Sequence, residues 1–323
     1  MNSIVTLTIN PAIDKSARVQ NVVPERKLRC RNPRYEPGGG GINVSRAIHN
    51  LGGSAVAVYT AGGFAGKLLQ HLLDREGIPH HAIPVDGWTR DNLVVYEEST
   101  GQQFRFGMPG PTLRDDEWKN CLAELSSIAS NAEYIIASGA LPSDVPEDFY
   151  AQVARLGKKL KAKVVVDTSG EPLRLALSEG VFLIKPNLRE LTMLAGHELV
   201  DESQQERLAG KIVDDGQSEV VVISRGAGGV LAVWKEGHEH VRAPTVPIKS
   251  KVGAGDSMVA GIVLSLARGR ALPEAVRFGI AAGTAAVMTP GTELCRRDDT
   301  ERLYAMMSAA VESSRQHRHP ARH

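Results

Sequence analysis

Along most of the chain, short apolar runs alternate with longer stretches in which apolar residues recur every three to four positions. The short runs are Ile4–Ile9, Ala55–Thr60, Tyr134–Ser138, Val164–Asp167, Phe182–Lys185, Val220–Ser224 and Val230–Trp234. Several are apolar throughout, the pattern of strands buried on both faces. The longer stretches predict helices. Asp115 suits the cap of a helix over Glu117–Ala129. Pro146 suits the first turn of one ending at Leu160. Leu68, Leu69, Leu72 and Leu73 share a stripe that stops at Gly77. Helices over Val44–Leu51 and Ser257–Ala267 each follow a glycine-rich segment. Strand and helix in alternation imply an α/β fold with a largely parallel sheet and helices on both faces.

Two segments break this rhythm. Val19–Tyr35 carries Arg and Lys among short extended pieces, and Asn92–Met108 reads as a hairpin turning at Ser99-Thr100-Gly101. Together they predict a small β-sheet outside the main layers, one that closes over a ligand or pairs with another subunit. An ordinary surface hairpin is the alternative. No tandem repeat and no linker divides the chain. The expectation is one domain over 1–312, with the irregular pieces at about 15–36 and 89–108. A basic stretch without hydrophobic period, 313–323, is expected to be a disordered tail.

Composition narrows the functional classes. The 323 residues are 42% hydrophobic, enough to bury a sizeable core. Lys plus Arg number 38 and Asp plus Glu 37, which argues against nucleic-acid binding by global charge. Any anionic ligand must therefore be held by a local site. Cys30, Cys121 and Cys295 have neither a disulfide framework nor zinc spacing, so three reduced thiols are expected. The N-terminus has no basic leader, and no apolar run reaches the length of a membrane span. A cytoplasmic protein with no membrane partner is the expectation.

Four polar or glycine-rich elements carry candidate chemistry. Val252-Gly253-Ala254-Gly255-Asp256 opens an apolar helix. Its glycines admit a ligand to the backbone, and the first helical turn offers N–H groups and a positive dipole end to an anion. Asp256 reads equally as a helix cap or as a base beside a phosphoryl group. A helix dipole contributes only about 0.3–1 kcal/mol, so cationic groups or Mg²⁺ must share a triphosphate's charge. Asn187 and Glu190, in Lys185-Pro186-Asn187-Leu188-Arg189-Glu190, sit three apart and offer hard oxygens for Mg²⁺, or else form a capping box. Ser224-Arg225-Gly226-Ala227-Gly228-Gly229 joins two strands, either wrapping a nucleotide or merely turning. A strand follows it, so it is not a dinucleotide fingerprint. Pro37-Gly38-Gly39-Gly40-Gly41-Ile42-Asn43 bares a backbone wall to a polar ligand, or is a flexible loop entering a helix.

GGGGIN, KPNLRE, SRGAGG and VGAGDS, in this order, resemble the ribokinase-like sugar kinases, the phosphofructokinase-B family. The resemblance covers all but about the last dozen residues. LTINPAID, ERKLRCRNPRYEPGGGGINVSRAI, WTRDNL, FRFGMPG and GTELCRRDD bring it closer to the bacterial type-2 fructose-6-phosphate kinases within that family. The resemblance implies a three-layer α/β/α domain with a β-sheet lid that serves as a homodimer interface. It implies transfer of the γ-phosphoryl of MgATP to the 1-hydroxyl of fructose 6-phosphate. Tagatose 6-phosphate or fructose 1-phosphate as the acceptor, or a non-catalytic nucleotide sensor, stay open. By position, Asp256 matches the family's catalytic base, and Gly253, Ala254 and Gly255 its anion hole. Asn187 and Glu190 match the element that organises Mg²⁺, while Lys185, Ser224, Gly226 and Gly229 fall on the nucleotide side. Asp14, Gly39, Gly40 and Asn43 match sugar-hydroxyl contacts. Arg90 and Lys27 match positions that meet the sugar's phosphate, Lys27 across the dimer. Lys251 stands where the family usually carries Thr, beside a monovalent-cation loop, so K⁺ as a further cofactor is left open.

Overall fold

The computed structural model describes residues 4–318, those from 310 onward by backbone alone. Two compact units share the chain, 1–45 with 55–176, and 46–54 with 177–323. They are interleaved in sequence.

The first unit holds β1 (Ile4–Thr8), β2 (Ala12–Val19), β3 (Arg31–Gly38) and the start of α1 (Gly40–Asn50). After the excursion of 46–54 come β4 (Val56–Ala61), α2 (Gly63–Glu76), β5 (His80–Pro84), β6 (Arg90–Glu97) and β7 (Gln103–Phe106). Next are α3 (Asp115–Ile128), β8 (Tyr134–Ser138), α4 (Phe149–Leu160), β9 (Lys163–Asp167) and most of α5 (Gly170–Glu179). Five strands lie parallel in the order β9-β8-β1-β4-β5. β1 and β8 are buried at every residue, as continuous apolar runs demand. The leucine stripe of α2 buries Leu69, Leu72 and Leu73 against Ala57, Tyr59 and Ile42. Gly77 ends that helix at φ 69°, its N–H returning to Asp74 and that of Ile78 to Leu73.

The two irregular segments join in one four-stranded sheet of this unit, order β3-β2-β6-β7. β2 pairs antiparallel with β3 and parallel with β6, which places Ala12 opposite both Gly38 and Arg90, and Asp14 opposite Asn92.

The second unit holds β10 (Val181–Ile184), α6 (Leu188–Ala195), α7 (Glu202–Asp214) and β11 (Ser218–Ser224). A 3₁₀ turn at Gly226–Gly228 leads into β12 (Val230–Trp234) and β13 (Gly237–Val241). Then come α8 (Ala254–Ala267), α9 (Leu272–Val287) and α10 (Arg297–Arg318). β10 and β11 are parallel, while β12 and β13 add antiparallel. Apolar α8 packs on α9, where the Cα of Gly279 stands 2.8 Å from the place a side chain on Gly261 would take.

Several helix starts differ from expectation. α3 begins at Asp115 itself, and the Glu117 carboxylate accepts the Arg114 N–H at 2.7 Å and the Asp86 N–H at 2.6 Å. That carboxylate satisfies the end instead of an Asp115 cap. Pro146 lies in a turn before α4, its carbonyl accepting the N–H of Phe149. α1 and α8 start earlier than expected, at Gly40 and Ala254, because the glycines themselves take helical positions. α10 continues to Arg318 and so enters the stretch expected as a tail, while 319–323 lie outside the described residues. Among the described residues no helix is long and apolar enough to cross a membrane. All three cysteines are free, Cys30 exposed and Cys121 and Cys295 buried.

Candidate active site

In the second unit, Gly253 is the N-cap of α8 at φ 72°, a left-handed conformation that suits glycine. A side chain there would also run into Leu294. Gly253 has no side chain with which to cap the first turn. Ala254, Gly255 and Asp256 are the first three helical residues, so their N–H groups point out of the helix end. Asp256 is therefore not the cap. It stands at the third position, half-buried, on the same turn.

Lys185 follows β10 and is 6% exposed. Its ammonium nitrogen lies 3.1 Å from where a Cβ on Gly255 would sit. An ammonium and the positive end of a helix thus face the same space. Like signs of charge converge there, the arrangement that favours an anion between them.

Asn187 caps α6. Its side-chain oxygen accepts the Glu190 N–H at 2.9 Å, and the Glu190 Oε2 accepts the Asn187 N–H at 2.9 Å. This is the capping box that the spacing allowed. The other Glu190 oxygen has no hydrogen bond to the described residues, so it remains able to hold a metal-bound water. Asn187 forms a parallel bridge with Ser224, whose N–H donates to the Pro186 carbonyl at 2.9 Å. Lys185, Asn187 and Ser224 thus gather at the carboxyl ends of two parallel strands, where open α/β sheets bind ligands. Gly226, at φ 59°, faces open space, whereas Gly229 is glycine because β13 ends against it at Val241.

In the first unit, Asp14 is held by Asn92, whose Nδ2 donates to Oδ1 at 2.9 Å. Its other oxygen lies 2.5 Å from the place of a Cβ on Gly38, so that glycine makes room for the carboxylate. Arg90 donates to the carbonyls of Asn10 and Met108 at 3.1 Å each, while its buried Nε has no partner among the described residues. Burial lowers the affinity of this guanidinium for its proton, and the Asp14 carboxylate works in the opposite direction. Gly39 and Gly40 are half-exposed at the start of α1, and Asn43 is buried one turn on, its N–H bonded to the Gly39 carbonyl. The glycine run has packing causes as well. A side chain on Gly40 would collide with Ser138, and one on Gly41 would come within 2.6 Å of the Leu7 carbonyl oxygen.

Lys27 stays apart. It lies on the exposed loop between β2 and β3, and makes no hydrogen bond or ion pair with the described residues. Asn92 and Asn10 were not foreseen as site residues. Asn92 had a signal, since Arg90 and Asn92 are two apart on a strand and share a face. Asn10 serves Arg90 through its backbone carbonyl, which any residue type supplies.

Comparison with known proteins places the chain among carbohydrate kinases. ATP-dependent 6-phosphofructokinase isozyme 2 of Escherichia coli (strain K12) is 44% identical over 309 residues, 95% of this chain and 100% of that one. The crystal structure of phosphofructokinase-2 from Escherichia coli in complex with fructose-6-phosphate superposes with a TM-score of 0.90 at 42% identity, covering 95% of this chain and 100% of that one. The structure of the same protein in complex with potassium gives a TM-score of 0.92 at 43% identity, with coverage of 95% and 100%. The fold class is thus the expected one, a three-layer α/β/α ribokinase-like fold with a mostly parallel sheet and a smaller β-sheet. The model of the pfkB family of carbohydrate kinases matches residues 1–299, and the chain belongs to that family.

Proposed function

We propose that this chain is an ATP-dependent 6-phosphofructokinase, transferring the γ-phosphoryl group of MgATP to the 1-hydroxyl of fructose 6-phosphate. One observation carries the reading: the buried ammonium of Lys185 stands against Gly255, at a helix start whose cap residue is a glycine, with Asp256 on the same turn. Lys185 and the N–H groups of Ala254, Gly255 and Asp256 take the charge of the moving phosphoryl oxygens. Asp256 accepts the proton of the sugar hydroxyl. A weak carboxylate base suffices, because the transition state of phosphoryl transfer is loose. Ser224, Gly226 and Gly229 line the nucleotide side, Gly226 with bare backbone and Gly229 by shaping the turn. Mg²⁺ neutralises and orients the phosphates when bound, and Glu190 with Asn187 anchors its waters.

On the sugar side, Asp14, Gly39, Gly40 and Asn43 hold the hydroxyls and Arg90 meets the 6-phosphate. Arg90 suits this role because its buried Nε retains an unspent donor. The four-stranded sheet acts as lid and homodimer interface. Tyr35 is 48% exposed, Phe106 47% and Met108 45%, an apolar surface suited to a second copy. Lys27, without a hydrogen bond or ion pair to the described residues, reaches the partner's sugar phosphate in that assembly. A monomer at micromolar concentration in light scattering would count against the interface. Potassium belongs with the related protein's structure. Here Lys251 is exposed in the loop before α8, and turnover in Na⁺ against K⁺ decides whether this chain needs the ion.

The test is a panel of fructose 6-phosphate, tagatose 6-phosphate and fructose 1-phosphate with coupled ADP detection, run on the wild type and on Asp256→Asn. Fructose 6-phosphate should give the highest kcat/KM, and the variant should lose at least ~10²-fold in kcat. Preference for another acceptor would replace the substrate. ATP binding without transfer to any of the three would make the chain a sensor, and a fully active variant would remove Asp256 from the chemistry.

A further inference from the structure

A cluster of metal-type ligands lies in the second unit on residues that the proposed reaction does not use. β13 is an edge strand whose partner is β12. His238 and His240 are two apart on it, so both imidazoles leave the same face. Their rings stand 5.6 Å apart and nearly perpendicular. Over that face runs α7, which packs on β11 and β12 and carries Glu202 and Glu206 one turn apart. Glu206 faces both rings, with Oε1 3.3 Å from His238 Nδ1 and Oε2 3.5 Å from His240 Nε2. One ligand atom from each of the three residues falls within 4.8 Å of the others.

These separations are informative. A tetrahedral ion with bonds of about 2.0–2.1 Å has ligand atoms about 3.4 Å apart. The two Glu206 distances, one from each carboxylate oxygen, are close to that edge length, and all three ligand atoms lie within 4.8 Å of one another. We propose that Glu206, His238 and His240 form a surface site for a divalent transition metal of the zinc class. Two imidazoles and a carboxylate select such an ion over Mg²⁺, which prefers oxygen ligands. Solvent completes the coordination, since the cluster borders an open cleft lined by Ser203, Arg207, Trp234 and Lys235.

The surroundings set a condition. His240 Nδ1 lies 3.0 Å from Arg225 Nη2, which can only donate, so without metal this nitrogen accepts and Nε2 carries the proton toward Glu206. Metal at Nε2 requires the other tautomer. Nδ1 then carries the proton and turns to Glu202 Oε2, now 3.9 Å away. Glu202 also neutralises Arg225 at 2.5 Å, which offsets the nearby cation. With metal bound, Glu202 would close that gap and serve as the outer partner of the ligating ring. Glu239, between the two histidines, pairs with Arg277 at 2.6 Å and stays out of the site.

Isothermal titration of the untagged full chain with ZnCl₂ at pH 7.5, with MgCl₂ as control, tests this. The wild type should bind one Zn²⁺ that Mg²⁺ does not displace. His238→Ala with His240→Ala should abolish that event, and Glu202→Gln, which keeps every ligand, should weaken it about 10–100-fold. The tail histidines His317, His319 and His323 are common to all variants, so they add the same background to each. No tight event in the wild type, or the same isotherm in the double histidine variant, would overturn the site. An unchanged Glu202→Gln would remove Glu202 from it. Circular dichroism checks that the variants, altered at surface side chains, remain folded.

Discussion

Gly255→Ala separates what the fold needs from what the ligand needs. The backbone at Gly255 is helical, so alanine fits its conformation and lowers the entropy of the unfolded chain. That gain is about 0.4–1 kcal/mol. The new methyl meets Lys185, at 3.1 Å from Nζ and 3.4 Å from Cε. Both atoms belong to the far end of a flexible side chain, which yields by a few tenths of an ångström at little cost. Stability should therefore hold or rise, by roughly 1–3 °C in Tm for a chain of this size. Activity should move the other way. In the proposed reaction the displaced ammonium meets the phosphoryl oxygens, and a hydrogen bond to a charged group contributes about 1.5–3 kcal/mol. Losing half of it lowers kcat/KM for ATP about 4- to 13-fold. Scanning calorimetry and a coupled ADP assay read the two effects on the same preparation. A drop in Tm with unchanged kinetics would refute the reasoning, because Gly255 would then serve packing alone.

Gly40→Ala is the opposite case. Its methyl overlaps Ser138 and stands 2.9 Å from that residue's carbonyl carbon, backbone that cannot swing away, so about 1–3 kcal/mol of stability should be lost in denaturant titration. Arg90→Ala should raise KM for fructose 6-phosphate at least ~10-fold with kcat little changed, and a fall in kcat alone would exclude a binding role. Glu190→Gln removes a charge near the proposed Mg²⁺ waters but keeps an oxygen for the Asn187 N–H. It should raise the Mg²⁺ concentration needed for half-maximal rate while leaving Tm within ~1 °C. Burial pushes the Cys121 thiol up to about 12 and the Cys295 thiol up to about 11. Both stay protonated at pH 8, so iodoacetamide should label one cysteine, exposed Cys30, in the native protein and three after unfolding, as counted by mass spectrometry.

The strands buried on both faces were legible because burial leaves little choice of residue, and Tyr134–Ser138 and Val230–Trp234 occur within the bounds their apolar runs implied. β13 was not legible. Its sequence GHEHV is polar at three of five positions, because an edge strand keeps much of its surface in water. α7 hid for a related reason, since only a narrow stripe at Gln205, Ala209, Ile212 and Val213 is buried. The small sheet could be foreseen as two irregular segments, but not the parallel pairing of β2 with β6, which is long-range and sets Asp14 beside Asn92. At the site, sequence alone left Asp256 between cap and base. The structure gives the cap position to Gly253, one turn earlier, which removes the cap reading and leaves the base as a proposal. For Asn187 and Glu190 the bland alternative, a capping box, is present in full, and any metal role must share the pair with it.

That glycine cap has a consequence for the cycle of the enzyme. Serine or aspartate at such a position would finish the helix from within, and Gly253 cannot. In the proposed reaction, completion of α8 falls to the bound phosphates. Amide protons of residues 254–256 should exchange quickly with D₂O in the empty protein and slow on nucleotide binding, so that each turnover ends with a helix briefly unfinished.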